Sequence, residues 1–514
     1  MNHNLYALLQ ARFPSDPHAP CLILPGGRTI TYGELHEQSG RYANLLSSLG
    51  VKAGDRVAVQ VEKTPEAVFL YLGCLRAGGV FLPMNPAYQR GEIEHFLRDA
   101  TPTLFVFRPQ MRDVAEGVAR EAGVPHTLAL ADDGTGSLVE QAVQHDAAFE
   151  TAIRADGDLA AILYTSGTTG RAKGAMLSHR NLTVNCEILH ETWGFRPGDV
   201  LLHMLPIFHF HGLFVAIHCA LWNGSAMYFE PRFDPNRTLE LLPRSTVFMG
   251  VPTYYVRLLA DPAFTADTCR RMRLFISGSA PLLADTFTEF AQRSGHTILE
   301  RYGMTEGGMF VSNPYDGERR CGSVGLPLPG LSLRVVNDDG APVAPGEIGN
   351  IQVKGENVFV GYWRLPEKTR EEHTDDGFFR TGDLGRLEAD GYLTIIGRSK
   401  DLVITGGLNV YPKEIETVID ALPGVVESAV IGVPHPDFGE AVTAVVVRDR
   451  ANGAALTEGS VIAAVKAQLA NFKVPKSVVF VDDLPRNAMG KVQKNVLRDQ
   501  VPTLKAASGA AAVA

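Results

Sequence analysis

The chain lacks any surplus of positive charge. Its 514 residues include 48 lysines and arginines against 57 aspartates and glutamates, which gives a formal net charge of −9 at pH 7. A polynucleotide-binding surface normally needs a basic face, so this balance argues against DNA or RNA as a partner. We therefore expect any bound nucleotide to be a small ligand.

Cysteines at metal-ligand spacing and long apolar segments are also missing. The six cysteines are scattered without a CxxC motif, so the sequence indicates neither a zinc site nor a disulfide framework. No stretch reaches the ~20 apolar residues of a membrane helix, and the first residues do not form a basic segment followed by an apolar run. These absences predict a cytoplasmic protein that does not interact with a membrane.

The composition and the order of segments predict the fold class. Hydrophobic residues make up 45% of the chain and charged residues 20%, as in ordinary globular proteins, and a chain of this length should form more than one domain. Helical spacing of apolar residues at 35–49 and 67–75 is interrupted by a strand-like run at 56–61. Such alternation predicts an α/β fold, with parallel or mixed sheets covered by helices.

A loop of glycines and hydroxyl residues follows the apolar run at 159–163. Glycines let backbone N–H groups converge on an anion, hydroxyls add donors, and a lysine adds charge. The sequence therefore predicts a phosphate loop containing Thr165, Ser166, Gly167, Thr168, Thr169, Gly170 and Lys173; a plain flexible turn is the alternative. A nucleotidase P-loop does not fit, because Lys173 is followed by Gly174 rather than by Ser or Thr. Residues 175–177 indicate a second strand, and Ser178 the N-cap of a helix.

This loop resembles the signature of the adenylate-forming acyl-CoA synthetases, luciferases and peptide-synthetase adenylation domains. Residues 299–306 resemble the Tyr-Gly-x-Thr-Glu element of the same family. The resemblance implies that Tyr302 stacks on adenine, Thr305 contacts the α-phosphate, and Glu306 binds Mg²⁺. Mg²⁺ prefers one or two carboxylates together with phosphate oxygens, which agrees with Glu306 as its ligand.

The resemblance also implies the other nucleotide contacts. Asp383 and Arg398 would bind the ribose, the loop after residue 277 would pass the adenine ring, and Lys491 would reach the phosphates during adenylation. The predicted ATP site adds to the phosphate loop the residues Ser279, Ala280, Glu300, Tyr302, Gly303, Thr305, Asp383, Arg398 and Lys491. The predicted catalytic residues are Lys491, Thr305, Glu306 and His209.

The same comparison predicts two domains joined by a hinge at Lys400. Residues 1–399 would form the adenylation domain, and 400–514 a small, mobile α+β domain that carries Lys491 and ends in a disordered tail at 506–514. Rotation about Lys400 would let one active site serve two half-reactions. Gly406 and Gly407 would then line a tunnel for the thiol of coenzyme A.

The sequence predicts the carboxylate substrate less directly. His209 and His211 lack a third metal ligand at a usual spacing; they either pack within a loop or, as the family implies for His209, form a wall of the carboxylate pocket. Arg257 and Arg301 lie on elements that should line this pocket with Ser277. Neighbours on a strand point to opposite faces, so Glu300 should not neutralise Arg301. A second carboxylate on the substrate is then a natural partner.

Three stretches, at 249–253, 277–282 and 300–306, look much like malonyl-CoA synthetases. The prediction is a ligase that converts malonate or methylmalonate, ATP and coenzyme A into the acyl-CoA, AMP and pyrophosphate. An acyl-CoA synthetase for short, medium-chain or aryl acids is the main alternative. An adenylation domain that loads a carrier protein and a nucleotide-binding protein without catalysis are further alternatives.

Overall fold

The structure is a computed structural model that describes residues 2–165, 172–405, 408–435, 439–450, 453–469, 471–487 and 490–501. The chain divides into two compact units. Unit 1 comprises Met1–Ser332 and Val353–Phe379, and unit 2 comprises Leu333–Gln352 and Arg380–Ala514. The expected hinge between residues 399 and 400 concerns movement and stays a prediction.

Strands and helices alternate along much of unit 1. The strands are β1 Pro20–Ile23, β2 Thr29–Thr31, β3 Arg56–Gln60, β4 Val80–Pro83, β5 Leu104–Phe107, β6 His126–Ala129, β7 Leu159–Thr165, β8 Lys173–Ser178, β9 Val200–His203, β10 Ala226–Phe229, β11 Val247–Gly250, β12 Leu274–Ser277, β13 Leu299–Met304, β14 Gly308–Ser312, β15 Leu326–Pro327, β16 Ser332–Val336, β17 Ile348–Lys354, β18 Gly361–Tyr362, β19 Phe379–Leu387, β20 Leu393–Arg398, β21 Val403–Thr405, β22 Leu408–Val410, β23 Val425–His435, β24 Gly439–Arg448 and β25 Ser477–Val481.

The α-helices are α1 Leu5–Gln10, α2 Tyr32–Ser48, α3 Pro65–Arg76, α4 Arg90–Ala100, α5 Arg112–Glu121, α6 Ser137–Ala142, α7 His179–Thr192, α8 His218–Asn223, α9 Pro235–Leu241, α10 Pro252–Leu259, α11 Ala284–Ser294, α12 Pro366–Glu371, α13 Pro412–Asp420 and α14 Glu458–Gln468. No helix in the described part of the chain is both long and apolar enough to cross a membrane.

Two sheets organise the described residues of unit 1. One has the strand order β15-β14-β13-β12-β11-β9-β10-β1-β2, and the other β18-β8-β7-β4-β3-β5-β6. Strands β9, β11, β12 and β13 run parallel to one another, and every residue of β11 and β12 is buried. Parallel strands covered on both faces are continuously apolar, and their carboxyl ends meet at one edge, where ligands bind in open α/β sheets. The predicted α/β class is confirmed.

Local signals around the phosphate loop are also correct. β7 and β8 pair antiparallel, with Thr165 opposite Lys173, so the loop joins two strands as expected. Ser178 caps α7, because its side chain accepts a hydrogen bond from Asn181 N at 3.1 Å while the Asn181 side chain accepts one from Ser178 N at 2.9 Å. Pro252 starts α10 in the first helical turn, where its missing N–H has no consequence.

The segment at 204–213 differs from the predicted loop. A π-helix begins at His211, extends to Ile217 and continues directly into α8. Gly212 permits this turn, because a Cβ atom there would lie 2.0 Å from Pro206 O. Isolated π-helical turns are rare and are often found at functional sites, so the irregularity draws attention to His211.

Unit 2 contains an antiparallel sheet of order β16-β17-β19-β20 and a second one of order β22-β21-β24-β23, with β25 beside β24, among its described residues. β19 and β20 form the hairpin that the sequence predicts around Asp390 and Gly391. The expected helix at 413–419 and strands at 425–433 and 441–447 are present as α13, β23 and β24. Their apolar faces enclose a core that includes Ile415, Val430 and Val442.

Candidate active site

Four buried polar atoms at the carboxyl edge of the larger sheet of unit 1 lack hydrogen-bond partners. They are Ser277 Oγ, His211 Nε2, Arg301 Nε and Arg301 Nη2, and they have no partner within the described residues. Ser277 ends β12 and is 0% exposed, while Arg301 lies in the adjacent strand β13 and is 3% exposed. Buried polar groups in native proteins are normally paired, so these atoms indicate a binding site for a polar ligand.

Backbone geometry brings these groups together. A Cβ atom at Gly278 would lie 2.5 Å from Arg301 Cζ, so the guanidinium packs against a position that only glycine can fill. Ser279 has a φ of 72°, a left-handed conformation that is strained for serine. Its Oγ lies 3.4 Å from His211 Nδ1. Arg301, Ser279 and His211 therefore lie around one turn after β12.

The electrostatics of this cluster suit an anion. Burial lowers the pKa of Arg301 to about 9 against the opposing effects of Tyr255 and Glu300, so the guanidinium stays charged at neutral pH. Burial, followed by the charge of Arg301, lowers the pKa of His209 to about 4 and moves the pKa of His211 well below its usual value. One cation is thus surrounded by neutral donors.

The two predicted substrate arginines differ in their environments. Glu300 points to the opposite face of β13 from Arg301, and its carboxylate accepts a hydrogen bond from Leu282 N at 3.2 Å. Arg257 lies on α10 and is exposed. The sequence argument from a buried guanidinium therefore holds for Arg301 and is wrong for Arg257, because the turn of α10 that carries Arg257 is at the surface.

The ends of the phosphate loop lie beside residues expected to handle phosphate. Ser166, Gly167, Thr168, Thr169 and Gly170 lie outside the described residues, as do Gly406 and Gly407. Lys173 begins β8, and its Nζ atom lies 4.1 Å from the ring centroid of Tyr362 and 3.7 Å from Glu372 Oε1.

The β13–β14 hairpin carries the predicted nucleotide contacts. Tyr302 is half-buried and packs edge-on against Phe310 at 5.9 Å, and Ala280 lies half-buried in the turn after β12. A Cβ atom at Gly303 would lie 2.0 Å from Gly308 O, so the hairpin requires glycine there. Thr305 is half-buried in the connecting turn, and Glu306 follows it.

Glu306 offers the carboxylate for a metal ion. It is 6% exposed, and its Oε1 atom accepts a hydrogen bond from Tyr362 OH at 3.1 Å. The described residues contain no group of three or more histidine, cysteine or carboxylate side chains that could hold a metal ion. A single buried carboxylate fits Mg²⁺ that arrives with a nucleotide and takes its other ligands from phosphate and water.

Unit 2 positions the remaining predicted residues. Asp383 in β19 pairs with Arg398 in β20, and Arg398 Nε lies 2.7 Å from Asp383 Oδ1. Lys400 occupies a single 3-10 turn, Ser399–Asp401. Lys491 is exposed as a residue, yet protein atoms surround its ammonium group. This loss of water, then the charge of Arg398, lowers its pKa to about 8.

Two family models match the chain. The model described as AMP-binding enzyme matches residues 9–363, and the one described as AMP-binding enzyme C-terminal domain matches residues 414–491.

The chain belongs to the AMP-binding enzyme family.

Relatives within this family cover most of both chains. ATP-bound MatB from Rhodopseudomonas palustris, a crystal structure, is 56% identical with a TM-score of 0.95 and covers 97% of this chain and 99% of its own. The mitochondrial malonate–CoA ligase of Mus musculus is 36% identical over 515 residues, covering 92% of this chain and 87% of the relative. Feruloyl-CoA synthase of an Amycolatopsis species is 36% identical over 491 residues, covering 94% and 96%.

Membership of the AMP-binding enzyme family confirms the predicted adenylate-forming enzyme and its class, an AMP-forming acyl-CoA ligase that uses ATP and coenzyme A. The sequence analysis assigned no role in the site to His211 or Tyr362. A histidine two residues from His209 carried a signal, but its meaning depended on the π-helix. A buried tyrosine usually belongs to the core, so Tyr362 carried none.

Proposed function

We propose that this AMP-binding enzyme ligates malonate, or its close analogue methylmalonate, to coenzyme A. The observation that supports the proposal is Arg301, a buried guanidinium whose Nε and Nη2 atoms have no hydrogen-bond partner in the described part of the chain. The relatives named malonate–CoA ligase, from Mus musculus and Arabidopsis thaliana, support the same substrate.

The energetics favour a dicarboxylate. A buried and unpaired charge is destabilising by several kcal/mol, whereas a carboxylate can accept two parallel hydrogen bonds from one guanidinium. Malonate has one carboxylate to react with ATP and a second to pair with Arg301, with Ser277 and His211 as neighbouring hydrogen-bonding groups. An acid with an apolar tail would leave Arg301 unpaired and pay its desolvation in full.

In the proposed first half-reaction, a malonate oxygen attacks the α-phosphorus of ATP and the bond to pyrophosphate breaks. Negative charge on the phosphoryl oxygens must be met by fixed donors and cations. Lys491, Lys173 and the hydroxyl of Thr305 would supply them. Mg²⁺ held by Glu306 and phosphate oxygens would neutralise further charge on the departing pyrophosphate.

In the second half-reaction, the thiol sulfur of coenzyme A attacks the acyl carbon of malonyl-adenylate. The acyl–phosphate bond breaks, AMP leaves, and the thiol proton passes to solvent. No side-chain nucleophile is required. A path for the thiol past Gly406 and Gly407, a requirement for Mg²⁺ and a cytoplasmic location all remain predictions.

A panel of acids tests the substrate. With AMP release measured at saturating ATP and coenzyme A, we expect kcat/KM for malonate to exceed that for butyrate or octanoate on the order of 100-fold, the effect of leaving one partner of a buried charge pair unmatched. Equal rates with butyrate or octanoate would contradict the dicarboxylate proposal, and a preference for ferulate would favour the aryl alternative. Pyrophosphate release without any thioester from free coenzyme A would favour a carrier-loading domain.

A proline substitution tests the hinge. Proline fixes φ and restricts the residue before it, so Lys400→Pro should slow thioester formation from malonyl-adenylate roughly tenfold if rotation occurs at this turn. Pyrophosphate exchange should change little. Lys400→Ala is the control, because it removes the charge and keeps the backbone free. Equal losses in both half-reactions would place the hinge elsewhere.

A further inference from the structure

The segment at 359–363 joins the two parts of unit 1 that are expected to handle phosphate. At one end, Phe359 N donates to Glu306 O at 2.9 Å; at the other, Trp363 N donates to Gly174 O at 2.8 Å. Between these bonds, Tyr362 pairs with Ala175 across β18 and β8. The segment therefore fixes the backbone of Glu306 relative to the strand that begins at Lys173.

The side chain of Tyr362 contacts both functional groups. It is 3% exposed; its hydroxyl donates to Glu306 Oε1 at 3.1 Å, and Lys173 Nζ lies 4.1 Å from its ring centroid. A single aromatic side chain therefore extends from the phosphate-loop lysine to the buried carboxylate.

We propose that Tyr362 is a positioning residue that sets the spacing and orientation of the Lys173 ammonium and the Glu306 carboxylate for the phosphates of ATP and their metal ion. The proposal rests on the proposed role of Glu306 as the Mg²⁺ ligand. It assigns to Tyr362 two separable contributions, one through its hydroxyl and one through its ring.

The hydroxyl acts on the carboxylate. Its hydrogen bond to Oε1 fixes the rotation of the carboxylate about the last bond of the Glu306 side chain and favours the ionised form. Hydrogen bonds of this kind to metal ligands orient them, and their loss typically weakens metal binding by roughly 10-fold or more.

The ring acts on the ammonium. The face of an aromatic ring attracts a cation without neutralising it, so Lys173 keeps its full charge while it is held in place. Glu372 is the competing partner at 3.7 Å, but it also pairs with Lys368 at 3.0 Å. Its hold on Lys173 is therefore weak, and phosphate oxygens can replace it while the ring contact persists.

Two substitutions separate the contributions. Tyr362→Phe removes the hydroxyl and keeps the ring, so the Mg²⁺ concentration for half-maximal pyrophosphate release should rise roughly 10-fold, while calorimetric affinity for ATP in EDTA stays unchanged. Tyr362→Leu also removes the ring, so affinity for ATP in EDTA should fall roughly threefold as well. Thioester formation from supplied malonyl-adenylate should be preserved in both variants.

The matched control is Tyr32→Phe. Tyr32 is also buried, and its hydroxyl donates to Ser225 O at 2.8 Å in another part of unit 1, so a general loss of one buried hydrogen bond would affect both phenylalanine variants alike. An unchanged Mg²⁺ requirement in Tyr362→Phe, relative to Tyr32→Phe, would overturn the inference. Tyr362→Phe alone decides the matter if Tyr362→Leu does not fold.

Glu306→Gln distinguishes the inference from the assignment on which it rests. If Glu306→Gln raises the Mg²⁺ requirement and Tyr362→Phe does not, the positioning role fails while the metal ligand stands. If Glu306→Gln leaves the Mg²⁺ requirement unchanged, the metal assignment itself fails and the inference fails with it. Calorimetry of ATP binding with and without Mg²⁺ gives a readout that is independent of turnover.

Discussion

Replacing Lys491 with alanine should abolish adenylation and spare the second half-reaction. The ammonium is needed only while the phosphoryl oxygens gain charge, an interaction made in the transition state of the first step and not in thiolysis. Removing a donor of this kind typically costs on the order of 100- to 1,000-fold in kcat. Pyrophosphate release measures the first step, and coenzyme A consumption with supplied malonyl-adenylate measures the second.

Lys466 provides the control for Lys491. It is an exposed lysine on α14 of the same unit, so Lys466→Ala removes an equal charge and should leave both steps intact. Equal losses of adenylation and thiolysis in Lys491→Ala would instead make Lys491 a structural residue.

The same lysine should give adenylation a basic pH limb. Loss of water around the ammonium, followed by the nearby Arg398, lowers the pKa of Lys491 to about 8. The protonated form is the active one, so kcat/KM for adenylation should fall as the pH rises through about 8, since this ratio reports the free enzyme. Lys491→Arg keeps its charge throughout and should lack this limb, even if its rate is low.

Local signals in the sequence were sufficient for much of the fold. Ser178 caps α7 and Pro252 opens α10, because both effects depend on neighbours within a few residues. The strand–loop–strand around the phosphate loop followed from one apolar run and a Gly/Ser/Thr cluster. Such features carry their physical cause in the sequence itself.

The burial of individual charges could not be predicted in the same way. Arg257 and Arg301 both lie near expected pocket elements, yet one is exposed and the other buried. The difference arises from packing: Arg301 lies on a covered strand beside Gly278, whereas Arg257 lies on the outer turn of α10. Tyr362 was missed for a related reason, because its partners Lys173 and Glu306 are distant in sequence and come together only through the pairing of β18 with β8.

Replacing Arg301 with leucine should remove most activity toward malonate. Without the guanidinium, the second carboxylate of malonate would be buried without a charged partner, which costs more than roughly 2 kcal/mol, or about 30-fold in kcat/KM. The ratio of malonate to butyrate activity should fall by the same factor, because butyrate has no second carboxylate to lose. Adenylation assays with the two acids measure this ratio directly.

Stability separates this role from a structural one. Arg301 Nε and Nη2 have no partner within the described residues, so Arg301→Leu should leave no such partner stranded and should relieve the burial of a charge. We therefore expect the free energy of unfolding in denaturant to stay the same or to rise by about 1–3 kcal/mol. Arg257→Leu should have a smaller effect on malonate, because an exposed guanidinium competes with water for the carboxylate and contributes about 1 kcal/mol or less. A destabilised Arg301→Leu that keeps its preference for malonate would show that the guanidinium supports the fold, and the proposed substrate would lose its main support.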